Sequence, residues 1–260
     1  MKAIYFSGKG GGGKTAAALG IGLKLKEEGF KVSYFKPLGV RRGTVRKDDD
    51  DVILMREVLG LPFSCEVISP VPINAHYLTA RFTSEDHDYN RKIDNAFKRC
   101  SEGYDVVLID GSIEPYVGFN QGIDDFSLAS RFGASVIPVI KADDDYRLDE
   151  NLMYLKMWND RNIQVVGCIF NNVKQTQWNK SISVYKPMLE ENGCTVLGLI
   201  PRQAEISAPT VYEFQDVLNG EILVGEDHMD RLVEEVVIGS MTAESALSYL
   251  RRAPNKALIT

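Results

Sequence analysis

Residues that bind metals or form cross-links are scarce in this sequence. Its 260 residues include only four cysteines and three histidines. The cysteines are widely spaced and form no C-x-x-C pair: Cys65, Cys100, Cys168 and Cys194. The histidines are scattered along the chain: His76, His87 and His228. These patterns argue against a zinc site and a catalytic triad, and they favour free thiols in a reducing compartment.

Long apolar runs and an excess of positive charge are also missing. No apolar run approaches the ~20 residues that span a membrane, and the N-terminus lacks the apolar segment of a signal peptide. The net charge of -6 argues against a general affinity for nucleic acids or anionic membranes. A basic cluster at residues 41–47 is followed at once by four aspartates. We therefore expect a soluble, cytoplasmic protein with neither nucleic acid nor membrane as a partner.

One motif near the N-terminus carries most of the information. Residues 8–15, GKGGGGKT, match the P-loop pattern G-x-x-x-x-G-K-[ST]. A buried strand is predicted over Lys2–Ser7 and a helix over Ala16–Lys26, which is the strand–loop–helix context that the motif requires. Glycines let successive N–H groups turn inward around an anion, and the helix adds its free N-terminal donors. The alternative, a flexible glycine-rich turn, leaves the complete spacing and both flanks unexplained.

The motif also assigns a role to each of its residues. Lys14 is predicted to reach the outer phosphates of a nucleotide, and the Thr15 hydroxyl to ligate Mg²⁺. The residues predicted to contact the nucleotide are Gly8, Lys9, Gly10, Gly11, Gly12, Gly13, Lys14, Thr15 and Ala16.

Short apolar runs alternate with helical stretches along the first 200 residues. Strands are predicted at residues 31–36, 105–109, 135–140, 164–170 and 195–200. Helices are predicted at residues 52–59, 90–100, 147–158 and 178–191, with a further helix ending at 128–132. The proline-containing residues 69–72 are predicted to be an irregular connection. Because the strands are continuously apolar, we expect an α/β fold with a mostly parallel sheet flanked by helices.

Polar residues follow the C-terminal ends of these strands. Ligands of parallel sheets bind beyond those ends, so one crevice is expected among the P-loop, Lys36, Asp110, Lys141 and Asn171. Asp110 closes a buried strand in the manner of a Walker B motif, which makes it a candidate Mg²⁺ ligand. The three aspartates at 143–145 are interpreted as helix capping and solvation.

The pattern changes after residue 200. A helix predicted over 209–218 ends a first domain, the P-loop nucleotide-binding domain, at 1–220. Residues 221–260 are predicted to be a linker and the start of a second domain. This part contains a strand at 234–239, a helix at 243–250 and the beginning of a strand at 257–260. Because the sequence stops within that strand, we expect the second domain to be truncated.

Lys9 adds a second lysine to the loop. The segment KGGGGKT resembles the deviant P-loop of the Min/Par-type division and partition ATPases and of the nitrogenase iron protein. In that group the extra lysine reaches the nucleotide of the partner subunit and acts much as an arginine finger does. The resemblance implies a homodimer in which Lys9 and Lys14 are catalytic. The alternative is a solvated loop lysine.

Two further segments, YFKP and DVILM, resemble dethiobiotin synthetases. There the lysine contacts substrate and phosphate and the aspartate ligates Mg²⁺, so the resemblance makes Lys36 a catalytic candidate and Asp51 a metal ligand. Asn171 resembles the asparagine that reads adenine in the same group. The synthetases have a glutamate where this chain has Asp110, and the residues that follow differ. A solvent-facing Lys36, a capping role for Asp51 and a turn role for Asn171 remain alternatives.

The C-terminal part resembles long phosphotransacetylases. The segments that look like the stretch between their synthetase-like domain and their DRTGG domain are GLIP, APTV and EIL. The segments that look like the start of the DRTGG domain are VIGSM and ALSYL. Asp49 and Asp51 also resemble the D-x-D of the N-terminal domain of those enzymes.

Three functions are compatible with these resemblances, all with ATP and Mg²⁺ as cofactors. The first is an ATP-sensing or slowly hydrolysing domain of a phosphotransacetylase-like DRTGG protein. The second is an ATP-dependent ligase, of the dethiobiotin synthetase or cobyrinic acid a,c-diamide synthase type, that activates a small carboxylate. The third is a Min/Par-type dimeric switch, whose amphipathic tail or basic DNA surface is not visible in the sequence. A nucleotide and a second copy of the chain are the predicted partners, with a small carboxylate under the second function.

Overall fold

The computed structural model describes residues 1–40, 49–74, 76–79, 88–203, 206, 208–239, 242, 247 and 255–259. The chain divides into two compact units, Met1–Pro201 and Arg202–Thr260, whereas the sequence pattern placed a boundary at residue 220. Some predicted features lie outside the described residues: the basic cluster at 41–47, Asp48, His87, all but residue 247 of the helix at 243–250, and Thr260.

The described part of the first unit alternates strands and helices. Its strands are β1 (Lys2–Ser7), β2 (Val32–Phe35), β3 (Leu38–Val40), β4 (Val71–Ile73), β5 (Val106–Asp110), β6 (Ser135–Ile140), β7 (Cys168–Val173) and β8 (Val196–Pro201). Its helices are α1 (Lys14–Glu27), α2 (Asp50–Leu59), α3 (Cys65–Ile68), α4 (Tyr89–Ser101), α5 (Asp125–Arg131), α6 (Asp145–Asp160), α7 (Gln175–Lys180) and α8 (Lys186–Glu191). A 3₁₀ turn occupies Phe119–Gln121, and a π-helical turn at Ser181–Tyr185 joins α7 to α8.

Six of these strands form one parallel sheet, in the order β2-β5-β1-β6-β7-β8. β1 lies near its middle, with Phe6 opposite Asp110 of β5 and Ser7 opposite Pro138 of β6. All five residues of β5 are buried, because side chains on both faces of such a strand point into the core. The predicted α/β class with a mostly parallel sheet is confirmed. The P-loop and Asp110 consequently leave neighbouring strands at the same edge of the sheet.

The strand predicted over 164–170 is wrong in its first half, and a proline explains why. Val136 donates its N–H to Gln164 and accepts one from Val166, as a parallel ladder requires. The next ladder donor on β6 is the N–H of residue 138, and Pro138 has none. The pairing stops there and resumes at Val139 with Ile169, so that β7 begins only at Cys168.

The irregular connection predicted over 69–72 is also partly wrong. Val71–Ile73 forms a strand that pairs in parallel with Leu38–Val40, with Leu38 opposite Val71. Val71 and Ile73 are buried while Pro72 between them is exposed. This two-residue alternation buries enough apolar surface for a short strand, even though proline weakens the sequence signal.

Helices on the sheet fix the strand ends that matter for the site. Phe126 of α5 packs against Trp158 of α6, with ring centroids 4.2 Å apart, and both side chains are almost completely buried. In α1, a Cβ added to Gly22 would lie 2.8 Å from the Leu108 side chain of β5. This close approach packs the middle of α1 on β5, and a hydrogen bond from Thr15 to Asp110 joins the start of α1 to the end of β5.

The second unit includes the helix α9 (Val211–Leu218), a 3₁₀ turn (Glu226–His228) and two strands, β9 (Glu235–Ile238) and β10 (Lys256–Ile259). The strands pair in parallel, with Val237 opposite Leu258. A capping box between Thr210 and Glu213 begins α9. The predicted helix at 209–218 and both predicted strands are therefore confirmed over the residues described. None of the described helices, in either unit, combines the length and hydropathy that a bilayer crossing requires.

Candidate nucleotide-binding site

The glycine loop forms a concave turn between β1 and α1. Gly8 has φ 147° and Gly13 has φ 85°, values that favour glycine. A Cβ on Gly8 would collide with the Val139 carbonyl, and one on Gly13 would collide with the Asn171 amide. The N–H of Gly10 donates to the Ile113 carbonyl at 2.5 Å. The loop is thus packed against the ends of β6 and β7 and against the segment after β5.

Lys14 begins α1 and its ammonium lies inside the loop. Its Nζ donates to the carbonyl oxygens of Gly8, at 2.8 Å, and Lys9, at 3.2 Å, and the residue is only 7% exposed. Gly13 is the N-cap of the helix and supplies no side-chain cap, so the first N–H groups of α1 remain available to an anion. Thr15 and the exposed Ala16 complete this first turn. The structure therefore brings together residues 8–16, which are nine of the ten residues predicted to contact a nucleotide. The tenth is Asn171.

Asp110 projects from the end of β5 towards the first turn of α1. Its Oδ2 accepts hydrogen bonds from Thr15 Oγ1 at 2.6 Å and from the Tyr34 hydroxyl at 2.8 Å. Its Oδ1 is buried without a hydrogen-bond partner in the described structure. Burial raises the pKa of Asp110, against the charges of Lys36 and Lys14, which lower it. The site thus contains a buried carboxylate oxygen with unused capacity to bind a cation.

Lys36 is buried and does not face solvent, which excludes one of its alternatives. Its Nζ lies 3.0 Å from Asp49 Oδ2 and 2.7 Å from Asp51 Oδ2. Burial lowers the pKa of Lys36, but the charges of Asp110, Asp51 and Asp49 outweigh it and raise the pKa overall. Asp49 also caps α2 by accepting from the Asp51 N–H at 3.0 Å. Asp49 therefore both caps α2 and neutralises Lys36, while Asp51, in the first turn of α2, takes part only in the neutralisation.

The remaining predicted residues form contacts within the chain. Asn171 Nδ2 donates to the Gly12 carbonyl at 2.8 Å, so the side chain supports the loop. The Lys9 side chain is 42% exposed, and its Nζ lies 3.6 Å from Glu114 Oε1. The other carboxylate oxygen of Glu114 is buried and has no partner among the described residues.

A cavity of about 190 Å³ opens beside the loop. Its lining residues are Lys9, Gly10, Val139, Lys141, Asp143, Arg147, Glu150, Asn151 and Tyr154. Lys141 pairs with Asp143 at 3.0 Å, and Arg147 pairs with Glu150 at 2.7 Å. Lys141 thus lies at the crevice, as predicted, in a cavity where charges of both signs alternate.

Of the three aspartates at 143–145, Asp144 alone has the predicted capping role. Asp144 caps α6 by accepting from the Arg147 N–H at 2.9 Å. Asp143 instead pairs with Lys141 in the cavity wall, and Asp145 pairs with Lys180 at 2.6 Å.

Two side chains of the site escaped sequence prediction. Tyr34 lies two residues before Lys36, so period-two alternation along β2 was a signal that both point to one side. Asp125 accepts hydrogen bonds from the Ser7 hydroxyl, 118 residues away in the sequence, and from the Ser112 N–H, 13 residues away. No local pattern could have indicated those contacts.

No group of three or more His, Cys, Asp or Glu side chains within the described ranges is arranged to hold a metal ion. Mg²⁺ commonly binds through one or two protein oxygens together with substrate phosphates. The pair formed by Thr15 and Asp110 matches that arrangement, with the orphaned Asp110 oxygen as the free ligand.

Residues 7–210 match the AAA domain family AAA_26. The chain belongs to this AAA domain family. Residues 213–260 of this AAA-domain protein match the DRTGG domain. The family assignment confirms the P-loop and DRTGG resemblances seen in the sequence.

Similar proteins of two kinds accompany the family match. A phosphate acetyltransferase of Nitrosomonas europaea is 23% identical over 263 residues, which cover 96% of this chain and 36% of that protein. The chain thus spans about a third of the length of that relative. The ATP-dependent dethiobiotin synthetase BioD of Akkermansia muciniphila is 24% identical over 222 residues, covering 84% of this chain and 90% of that protein.

Among solved structures, a putative plasmid partition protein of Borrelia burgdorferi B31 bound to AMPPNP overlaps with a TM-score of 0.48. It is 14% identical, and the overlap covers 88% of this chain and 93% of that one. At a TM-score below 0.5, this similarity decides neither the fold nor the function of this AAA-domain protein.

Proposed function

We propose that this chain binds Mg·ATP at its P-loop, as the nucleotide-binding part of a phosphotransacetylase-like protein with a DRTGG domain. Its role would be to sense ATP or to hydrolyse it slowly. The observation that carries the proposal is the convergence of Lys14, Thr15 and Asp110 on one concave loop. The matches to a phosphate acetyltransferase and to an ATP-dependent synthetase support the assignment.

The loop has the features that a polyphosphate requires. Its turn favours glycine at positions 8 and 13. The uncapped start of α1 offers N–H donors and the positive end of a helix dipole. The Lys14 ammonium already lies among the loop carbonyls. A bound phosphate would offer that ammonium stronger, charged acceptors.

The carboxylate next to the loop matches the needs of Mg²⁺. Thr15 and Asp110 would hold the ion, which neutralises phosphate charge when it is bound. Asp51 is proposed as a further ligand, and it would have to exchange its contact with Lys36 for the ion. Asn171 is proposed to contact adenine through its amide oxygen, since its amide nitrogen is engaged by Gly12.

Three lysines are proposed to stabilise the transferring phosphoryl group. Lys14 acts from the loop of its own chain. Lys36 lies among Asp49 and Asp51 at the end of β2, where it neutralises charge that develops near the metal. Lys9 would leave Glu114 and act across a homodimer, which its partly exposed position allows.

Calorimetric titration with ATP and Mg²⁺ tests the proposal. Lys14→Ala removes a charged phosphate contact, and we expect ATP affinity to fall roughly 10- to 100-fold, the equivalent of a charge-assisted hydrogen bond. Lys24→Ala is the matched control, because Lys24 lies on the same helix with its side chain 69% exposed. Absence of Mg·ATP binding by the unmodified protein would overturn the assignment.

A ligase that activates a small carboxylate is the second candidate, favoured by the cavity beside the loop. Lys9, Lys141 and Arg147 supply positive charge to its wall, next to Gly10 of the P-loop. A carboxylate bound there would receive the γ-phosphoryl group on one oxygen, forming an acyl phosphate as ADP departs. A screen of small carboxylates for stimulated ADP release tests this function. We expect one compound to stimulate release and Arg147→Gln to abolish the stimulation, and a lack of response to all compounds would count against the ligase.

A further inference from the structure

Asp125 is a buried acid that the proposed nucleotide contacts leave without a role. It is the first residue of α5 and is 0% exposed. Burial disfavours the ionised form of this side chain. Desolvation therefore raises the pKa of Asp125 to about 7, in spite of hydrogen bonds from Ser7, Ser112 and Tyr5 that lower it. A leucine or asparagine at this position would avoid burying an ionisable group.

The carboxylate joins two segments that are far apart in the sequence. Its Oδ2 accepts from Ser7 Oγ at 2.7 Å, and its Oδ1 accepts from the Ser112 N–H at 2.9 Å. The Tyr5 hydroxyl donates to the same Oδ1 at 2.9 Å. Ser7 is the last residue of β1 and directly precedes the P-loop, while Ser112 follows Asp110 by two residues. One side chain therefore fastens the entry of the P-loop to the exit of β5.

The chain between these anchor points packs directly on the carboxylate. A Cβ added to Gly111 would collide with Asp125 Oδ2 and would lie 2.8 Å from the Phe6 carbonyl. The N–H of Gly111 also donates to that carbonyl at 2.8 Å. Any shift of Asp125 must therefore be transmitted to the backbone that carries Asp110.

Helix capping does not account for this side chain. The neighbouring Asp124 is the N-cap of α5 and accepts from Ser127 N–H at 3.1 Å and from Ser127 Oγ at 2.6 Å. The helix start is thus already satisfied. The hydrogen bonds of Asp125 all go to the sheet and to the segment after β5.

We propose that Asp125 is a positioning residue for the nucleotide site: by holding Ser7 and Ser112, it sets the distance between the P-loop and Asp110. This inference rests on the proposed Mg·ATP function for its effect on binding. Thr15 and Asp110 can share one ion only while their oxygen atoms stay close, and they are 2.6 Å apart in this structure. Asp125 supports that spacing indirectly, by holding Ser7 and Ser112. Mutation of residues that orient metal ligands typically lowers metal affinity or activity by roughly 10- to 100-fold.

The readout is the factor by which Mg²⁺ tightens ATP binding, obtained by titrating ATP with and without the ion. For Asp125→Ala we expect that factor to fall roughly 10- to 100-fold, as for other residues that support metal ligands. For Asp125→Asn we expect a smaller loss, because the amide oxygen can still accept from Ser112 and its NH₂ group can donate to Ser7. Ser7→Ala removes one anchor from the other side and should add little to the effect of Asp125→Ala.

Asp124→Asn is the matched control. It removes the adjacent buried carboxylate from the same helix but preserves the cap, so the Mg²⁺ factor should stay at the value of the unmodified protein. Thermal melting of every variant separates stability from positioning. An Asp125→Asn or Ser7→Ala protein that melts at a lower temperature but keeps the full Mg²⁺ factor would overturn the proposal, since Asp125 would then be structural only.

A crystal structure of ligand-free Asp125→Ala, or of Ser7→Ala if the former does not fold, separates this inference from the proposed function. We expect the Thr15–Asp110 hydrogen bond to be broken and Ser112 to be displaced from Ser7. If the unmodified protein binds no ATP while this displacement is seen, the proposed function fails and the positioning role stands. An unchanged Thr15–Asp110 distance would refute the positioning role directly.

Discussion

At the scale of single residues, the site concentrates ionisable groups that are almost completely removed from water. Lys14, Lys36, Asp110 and Asp125 are 7%, 5%, 1% and 0% exposed. Lys36 retains its charge because the surrounding carboxylates outweigh the cost of burial, which is why its pKa is raised. For Asp110 and Asp125 the cost of burial outweighs the favourable contacts, so the pKa of both carboxyl groups is raised.

This balance predicts that stability depends on pH through Asp125. Its pKa is about 7 in the folded protein and about 3.9 when unfolded. Because the folded pKa is the higher one, its stabilising contribution is complete below about pH 4 and is lost as pH rises towards 7. The loss amounts to roughly 4 kcal/mol at most, at about 1.4 kcal/mol per pKa unit.

Urea unfolding between about pH 4 and pH 8 measures this effect. We expect Asp125→Asn to be less sensitive to pH than the unmodified protein over this interval. Asp160→Asn, at the exposed end of α6, controls for the loss of one carboxylate. Parallel pH profiles for Asp125→Asn and the unmodified protein would contradict the expectation.

At the scale of elements, the strand–loop–helix unit of β1 and α1 is specified locally, but its glycines have different roles. Gly13 has φ 85° and its missing Cβ leaves room for Asn171. Gly20, one and a half turns into the same helix, has open space where a Cβ would be. A glycine in the interior of a helix costs stability because of its backbone entropy.

Two alanine substitutions should therefore have opposite effects. Gly20→Ala should raise the free energy of unfolding by about 0.5–1 kcal/mol and leave ATP binding unchanged. Gly13→Ala should lower it by roughly 1–3 kcal/mol through its positive φ and should impair ATP binding by displacing Asn171. Chemical denaturation and calorimetric titration of both variants check the pair, and equal effects at the two positions would contradict this account of the loop.

Elements also show where sequence patterns stop being sufficient. β1 and β5 were predicted nearly to the residue, because each contains four consecutive apolar residues, as expected of a strand covered on both faces. The start of β7 was wrong because its partner strand, not its own sequence, contains the proline that ends the pairing. The helix predicted over 178–191 begins three residues earlier and includes a π-helical turn, a local change that apolar periodicity does not report.

At the scale of the whole molecule, the proposed homodimer would let Lys9 of one copy act on the nucleotide bound to the other copy. In the single chain its ammonium pairs loosely with Glu114 at 3.6 Å, a contact at the surface that stabilises little. If Lys9 acts on the nucleotide of a second copy, ATP hydrolysis per chain should rise with protein concentration.

Sedimentation velocity and phosphate release test this expectation together. With Mg·ATP we expect a dimer, and Lys9→Ala should lower the hydrolysis rate roughly 10-fold or more, as loss of a charge in trans does in other P-loop proteins. Its ATP affinity should change little, and Lys24→Ala on the exposed face of α1 should change neither quantity. A hydrolysis rate that is independent of protein concentration would exclude action across a dimer.

The sequence by itself determined the class of the sheet, the position of the phosphate loop and the family, because these depend on runs and spacings within a few tens of residues. It also predicted that Lys36, Asp110, Lys141 and Asn171 lie at or just beyond strand ends, although Asn171 lies within β7. Only the tertiary structure decided what those side chains contact. Lys36 lies between two carboxylates, Asn171 supports the loop, and Asp125 joins residues separated by more than a hundred positions. The physical reason is that hydrogen bonds and burial depend on distance in space. Parallel strands are joined by long crossover connections, so residues that are close in space can be far apart in the sequence.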